Sequence, residues 1–210
     1  EECLAIDRAL AEGLGTPESR RDVSFSLGLI AAIEQARGDL DTALAKYEEC
    51  LAICLALAEE LDTPQSRRDV SFSLGRVADI EEQRGRLDRA LELALESVEF
   101  AWRLVEAGQD DDSCNGLVWD SCTAARIAMK LGRLEDAASL LDAAREACGP
   151  LEADEQEDTN ILYTAATFHE RLADLAAAQG DKSAARAEQK LALAIRARIE
   201  ALGEGSEETR

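Results

Sequence analysis

The sequence is short of basic residues, aromatics, histidine and proline, and each shortage closes a class of function. Only 23 Lys and Arg stand against 44 Asp and Glu, a net charge of −21. Nucleic acids are held by basic faces that displace counterions from phosphate, so no nucleic-acid partner is expected. An anionic membrane surface repels such a chain for the same reason. No stretch approaches the roughly 20 apolar residues that cross a bilayer, and the opening residues EECLAIDRAL do not form an apolar leader. A single histidine, His169, gives little material for histidine-rich metal sites or histidine-based catalysis. Aromatics make up only 4% of a chain that is 46% apolar. The balance is largely Ala and Leu, which favour helices packed at close range. No alternating apolar–polar stretch announces a strand, and 210 residues suffice for a sizeable core.

What the chain does have is a tandem repeat. TPESRRDVSFSLG at residues 16–28 returns as TPQSRRDVSFSLG at 63–75, and EECLAI at 1–6 returns at 48–53. Residues 1–47 and 48–94 are identical at 32 of 47 positions, which makes this a duplication. The same offset carries Gly38 to Gly85 and Gly132, Leu40 to Leu87 and Leu134, and Ala43 to Ala90 and Ala137. One further step of 48 reaches Gly180 and Ala185. The units are 1–47, 48–94, 95–141 and 142–189, followed by a partial one.

Each unit contains two helical segments. In the second, Thr63 is placed to cap free N–H groups and Pro64 suits the first helical position. Val70, Leu74 and Val77 recur at helical spacing. Gly85 ends the segment because a residue without Cβ enters the left-handed region cheaply. The pattern predicts helices over 1–13, 17–37, 39–61, 64–84, 86–107, 113–131, 134–148, 155–179 and 181–202. The first has no partner before it and no initiator Met, so the chain is expected to be part of a longer protein. Residues 1–203 read as one repeat domain and 204–210 as a polar tail.

Gly38-Asp39-Leu40, Ala43-Leu44, Tyr47 and the small residue Cys50 resemble the tetratricopeptide repeat (TPR). Ala31 and Ala78 match that family's small residue where two helices touch. The units here are 47 residues long instead of 34, and the usual proline is displaced to Pro17 and Pro64. Long units of this kind resemble the kinesin-light-chain type and the arrays of bacterial signalling proteins. The resemblance implies an all-α, right-handed superhelical solenoid of antiparallel helix pairs in a cytoplasmic setting. It also implies a scaffold and not an enzyme, with peptides or partner helices held on a concave wall lined by the first helix of each pair.

The candidate chemistry is sparse. Cys50 and Cys54 are one helical turn apart on a shared face, Cys114 and Cys122 about two turns apart, and Cys148 stands alone. A four-ligand zinc site normally shows two close pairs with short loops, and that spacing is missing. Small buried hydrophobes of an intracellular protein are the simpler reading, so no metal or cofactor is expected. His169 reads as a packed histidine, and no nucleophile arrangement or phosphate loop is present.

The aromatics point to a surface. Phe25, Phe72 and Trp119 share one repeat position, about 200° around the helix from the Val70–Leu74–Val77 stripe. Their face carries Arg21, Gly28, Arg68, Gly75, Asp79, Glu82 and Arg126. Two explanations stand for the Phe–Gly pairing: a ligand groove floored by rings, or rings packed on the neighbouring pair with Gly making room. Trp119 is the stronger contact residue because Trp anchors are enriched at interfaces. Arg20-Arg21 and Arg67-Arg68 open the first helices of two units, whereas Asp110-Asp111-Asp112 and the acidic run of 152–158 open the next two. Acids at helix starts suit the dipole and solubility. They also set up a polar gradient. The expected function is protein or peptide binding through Arg21, Phe25, Arg68, Phe72, Asp79, Glu82, Trp119 and Arg126, with basic or apolar ligands favoured by the acidic field. The alternatives are self-assembly through the exposed first helix, and a sensor arm of a larger protein.

Overall fold

The computed structural model describes residues 2–108, 110–151 and 156–207, with side chains as far as 203. Among these residues there are nine α-helices and no strand. They are α1 Glu2–Leu14, α2 Pro17–Arg37, α3 Leu40–Leu61, α4 Pro64–Gln83, α5 Leu87–Ala107, α6 Asp111–Lys130, α7 Leu134–Cys148, α8 Thr159–Ala178 and α9 Lys182–Glu207. The fold class is the expected one, all-α with repeated helix pairs of solenoid type. A single pair cannot bury its own apolar stripe, so stability requires stacking on neighbours.

The helix ends follow from local chemistry. Thr16 Oγ1 accepts the Ser19 N–H at 3.2 Å, and Thr63 forms a reciprocal capping box with Ser66. The glycine that recurs in each unit adopts positive φ, +85° at Gly38 and +77° at Gly85, turning the chain out of one helix and into the next. Two starts differ from the sequence pattern by more than one residue. α6 begins at Asp111, two residues early, because Asp110 accepts the Ser113 N–H at 2.7 Å. α8 begins at Thr159, four residues late, because Asp158 caps it by accepting the Asn160 N–H at 2.8 Å. Of the acidic run of 152–158, residues 152–155 lie outside the described residues. α9 runs on to Glu207 where the pattern stopped at 202. Glycine in a helix costs about 1 kcal/mol but, unlike proline, keeps the hydrogen-bond ladder intact. Of the supposed tail, 208–210 lie outside the described residues.

The chain forms two compact units, Glu1–Phe100 and Ala101–Arg210. In the first, α1 packs on α2, α2 on α3 and α3 on α4. Leu27, Ala31, Val70, Leu74, Ala78 and Ile80 are sealed in its core. Ala31 and Ala78, at the same repeat position, are fully buried small residues. Ser97 Oγ of α5 donates to the Ser71 carbonyl of α4 at 2.9 Å, which satisfies a polar group inside this core. In the second unit α6 packs on α7 and α8, and α8 on α9. Leu117, Ile127, Leu141 and Leu162 fill its core. Ala43, Ala90 and Ala137 are fully buried, so the repeat offset marks true packing positions.

Candidate functional site

Within the first unit, α2, α3 and α4 enclose an open groove with a cavity of about 320 Å³. Arg21, Phe25, Gly28 and Leu29 line the α2 wall, Phe72, Ser73 and Arg76 the α4 wall, and Tyr47, Cys50 and Cys54 the α3 side. Phe25 and Phe72 are 70% and 63% exposed. The rings are thus not spent on internal packing, and the neighbour-packing explanation for the Phe–Gly pairing is overturned. A Cβ built on Gly28 would meet nothing within 4 Å, so no protein atom requires that glycine.

The polar rim is internally matched. Arg21 reaches Asp69 across the groove through Nε–Oδ2 at 2.9 Å and Nη2–Oδ1 at 3.0 Å, a bidentate pair. The Arg76 guanidinium lies 4.9 Å over the Phe72 ring, with Asp79 Oδ2 3.8 Å from its Nη1. Both pairs are half-exposed, where each is worth about 1 kcal/mol or less. Their role is to hold the rings and leave the rim close to neutral.

The α3 side carries the thiols. Cys50 and Cys54 are both buried. Ser73 Oγ lies 3.6 Å from Cys50 Sγ and 3.5 Å from Cys54 Sγ. Interaction between the two thiols draws Cys54 below the ordinary thiol range, to about 7, and together with burial pushes Cys50 up. Burial pushes Tyr47 above the usual phenol range, and its hydroxyl lies 3.4 Å from Gln35 Oε1.

The structure assembles part of the sequence-derived set. Arg21, Phe25 and Phe72 meet at this groove, and Asp79 joins through Arg76. Arg68 is half-buried on α4 outside the groove lining. Glu82 is only 8% exposed, which corrects its placement on a ligand-facing wall. In the last turn of α4, Ile80 and Glu81 are buried beside Glu82. Trp119 and Arg126 belong to the second unit and are half-buried there. The Trp119 ring sits 6.0 Å from Tyr163, and the Arg196 guanidinium lies 4.8 Å over Tyr163 while donating to Glu170 at 2.8 Å.

Sequence reasoning passed over Arg76 and Tyr163. Arg76 sits one turn after Phe72, and Tyr163 one turn before Thr167, the repeat equivalent of the ring position. The i, i+4 rule reaches both. His169 is buried, as read, with Nδ1 2.6 Å from Glu188 Oε2. Cys148 does not stand alone: its thiol donates to the Cys114 carbonyl at 3.8 Å, joining the end of α7 to the start of α6. Among the described residues no cluster of three or more His, Cys, Asp or Glu is placed to hold a metal. None of the helices is long and apolar enough to cross a membrane.

No protein-family model matches the sequence, and no curated protein matches it. Solved structures do. BtubC (BKLC) from P. vanneervenii is 20% identical with a TM-score of 0.56, over 95% of this chain and 89% of that one. The de novo designed helical repeat protein DHR64 is 24% identical with a TM-score of 0.50, over 90% of this chain and all of that one. At these identities the likeness is one of fold, and that fold is the helical repeat.

Proposed function

We propose that the chain is a non-catalytic, TPR-type interaction scaffold that takes a peptide or partner helix in the α2–α4 groove. The carrying observation is the pair of exposed rings, Phe25 and Phe72, set at equivalent repeat positions around an open groove. An exposed aromatic pair over a concave apolar surface is how interfaces obtain an anchor pocket. An apolar partner side chain would enter between the rings. Because the rim is already matched, ligand charge would be read by the long-range field of a chain with net charge −21, which favours basic flanks. Free thiols and acidity suit a cytoplasmic protein, as in the bacterial arrays whose units these resemble.

The test is capture on an unbiased peptide array at low and high salt, with wild type beside Phe25→Ala/Phe72→Ala. Both rings are exposed, so the variant keeps its fold. Capture of apolar-anchored basic peptides, weakened by salt and lost in the variant, is the expected result. Equal capture by both proteins defeats the groove reading. A second reading, self-assembly, is favoured by one observation: Ile6, Leu10 and Leu14 lie along one face of α1 and are exposed. Light scattering across a concentration series separates the two readings.

A further inference from the structure

The α3 side of the groove has a feature that peptide docking does not use. Cys50 and Cys54 stand one helical turn apart on α3, both beside the Ser73 hydroxyl, and open into the same cavity. Cys3, the repeat equivalent of Cys50, is exposed on α1, and its unit has Asp7 at the position equivalent to Cys54, so the first unit does not reproduce the pair. The thiols are shielded by apolar walls, and Ser73 Oγ bridges them. Among the described residues no third Cys, His, Asp or Glu joins to make a cluster.

That donor set selects its ligand. Zinc requires four ligands in a structural site, and calcium or magnesium requires oxygens. Two soft, buried sulfurs beside an apolar-walled groove suit a cation that is satisfied by two thiolates, which is the preference of Cu(I). Two metal–sulfur bonds of about 2.3 Å place sulfurs about 4.6 Å apart when collinear, a span within reach of two thiols that lie 3.6 and 3.5 Å from the same Ser73 hydroxyl. We propose that Cys50 and Cys54 form a two-coordinate site for a soft monovalent cation, with Cu(I) as its representative. Two Cys–SH and one Cu(I) give Cys–S–Cu–S–Cys with release of two protons, and copper stays in the same oxidation state. Arg21 on α2 and Asp69 on α4 face the pair but neutralise each other, so the complex keeps a single negative charge in a pocket open enough to admit water at its mouth.

The inference is independent of whether a peptide binds the groove. Its test is anaerobic titration of the full chain with Cu(I) against a chromophoric Cu(I) chelator, for wild type, Cys50→Ser, Cys54→Ser and the double Cys50→Ala/Cys54→Ala. The expected result is that each variant takes up one ion fewer per chain than wild type. X-ray absorption of wild type at one equivalent is expected to show two sulfur neighbours and no more. Uptake by the double variant equal to wild type overturns the proposal. So does a first shell of three or four sulfurs, a measurement that requires no variant to fold. Phe25→Ala/Phe72→Ala is expected to lose peptide capture and keep the ion, and Cys54→Ser the reverse, so failure of one reading is told from failure of the other.

Discussion

Gly28→Ala separates a glycine kept for folding from one kept for a ligand. Gly28 lies inside α2 with no positive φ, and a Cβ there meets no atom within 4 Å. Alanine in that setting restores helix propensity and restricts the unfolded chain, together about 0.5–1 kcal/mol of added stability. For a chain of this length that is a rise in Tm of about 1–4 °C. The same methyl projects into the groove between Phe25 and Leu29. One unaccommodated methyl group in an apolar pocket costs a ligand about 1–3 kcal/mol, a loss of affinity of about 5- to 150-fold. The substitution is therefore expected to stabilise the protein and weaken peptide capture together. Denaturant melts followed by circular dichroism give the first quantity, and titration of an array-derived peptide gives the second. Destabilisation by Gly28→Ala refutes the statement that the site is open space. Higher stability with unchanged affinity refutes the groove as the binding site. Gly28→Leu, which fills more of the cavity, should abolish capture.

Four other outcomes follow from the same geometry. Leu27→Ala removes a fully buried side chain from the first unit and should cost about 2–5 kcal/mol, read as a fall in denaturant midpoint at constant slope. Thr63→Ala breaks the α4 capping box and should cost about 0.5–2 kcal/mol; no loss would show the cap to be redundant with Pro64. Burial pushes the Cys122 and Cys148 thiols up to about 12, above the unfolded value of about 8.5. Their contribution to stability is thus complete below about pH 8.5 and lost as pH climbs to 12, so unfolding free energy should fall across that window and fall less steeply in Cys122→Ala. Self-assembly through α1 requires Ile6, Leu10 and Leu14, and a variant with glutamate at all three must lose concentration-dependent mass in sedimentation; an unchanged distribution refutes that route.

The helices and their pairing were legible in the sequence because a 47-residue duplication repeats every cap and every stop. Where the pattern missed, at α6 and α8, a single aspartate decided the start. Asp110 and Asp158 each accept a backbone N–H from the helix that follows. Composition could count those acids but not say which one turned its carboxylate back to the chain. The aromatic face was legible too, since 100° per residue separates Phe72 from the buried stripe however the neighbours pack.

What periodicity cannot supply is the size of the space opposite a ring. Phe25, Phe72 and Trp119 share one repeat position, yet two stand exposed and the third is half-buried beside Tyr163. The difference comes from the facing helix. In the first unit the position opposite is filled by small polar and sulfur side chains, Ser73, Cys50 and Cys54, which leave a cavity. In the second unit Tyr163, backed by the Arg196–Glu170 pair, occupies the side of Trp119. The residue that read as the best anchor is therefore already engaged within its own unit, and the two phenylalanines, for which packing and ligand contact both stood open, carry the free surface. A repeat position fixes direction, and only the residues arriving from the next helix fix whether anything else can bind there.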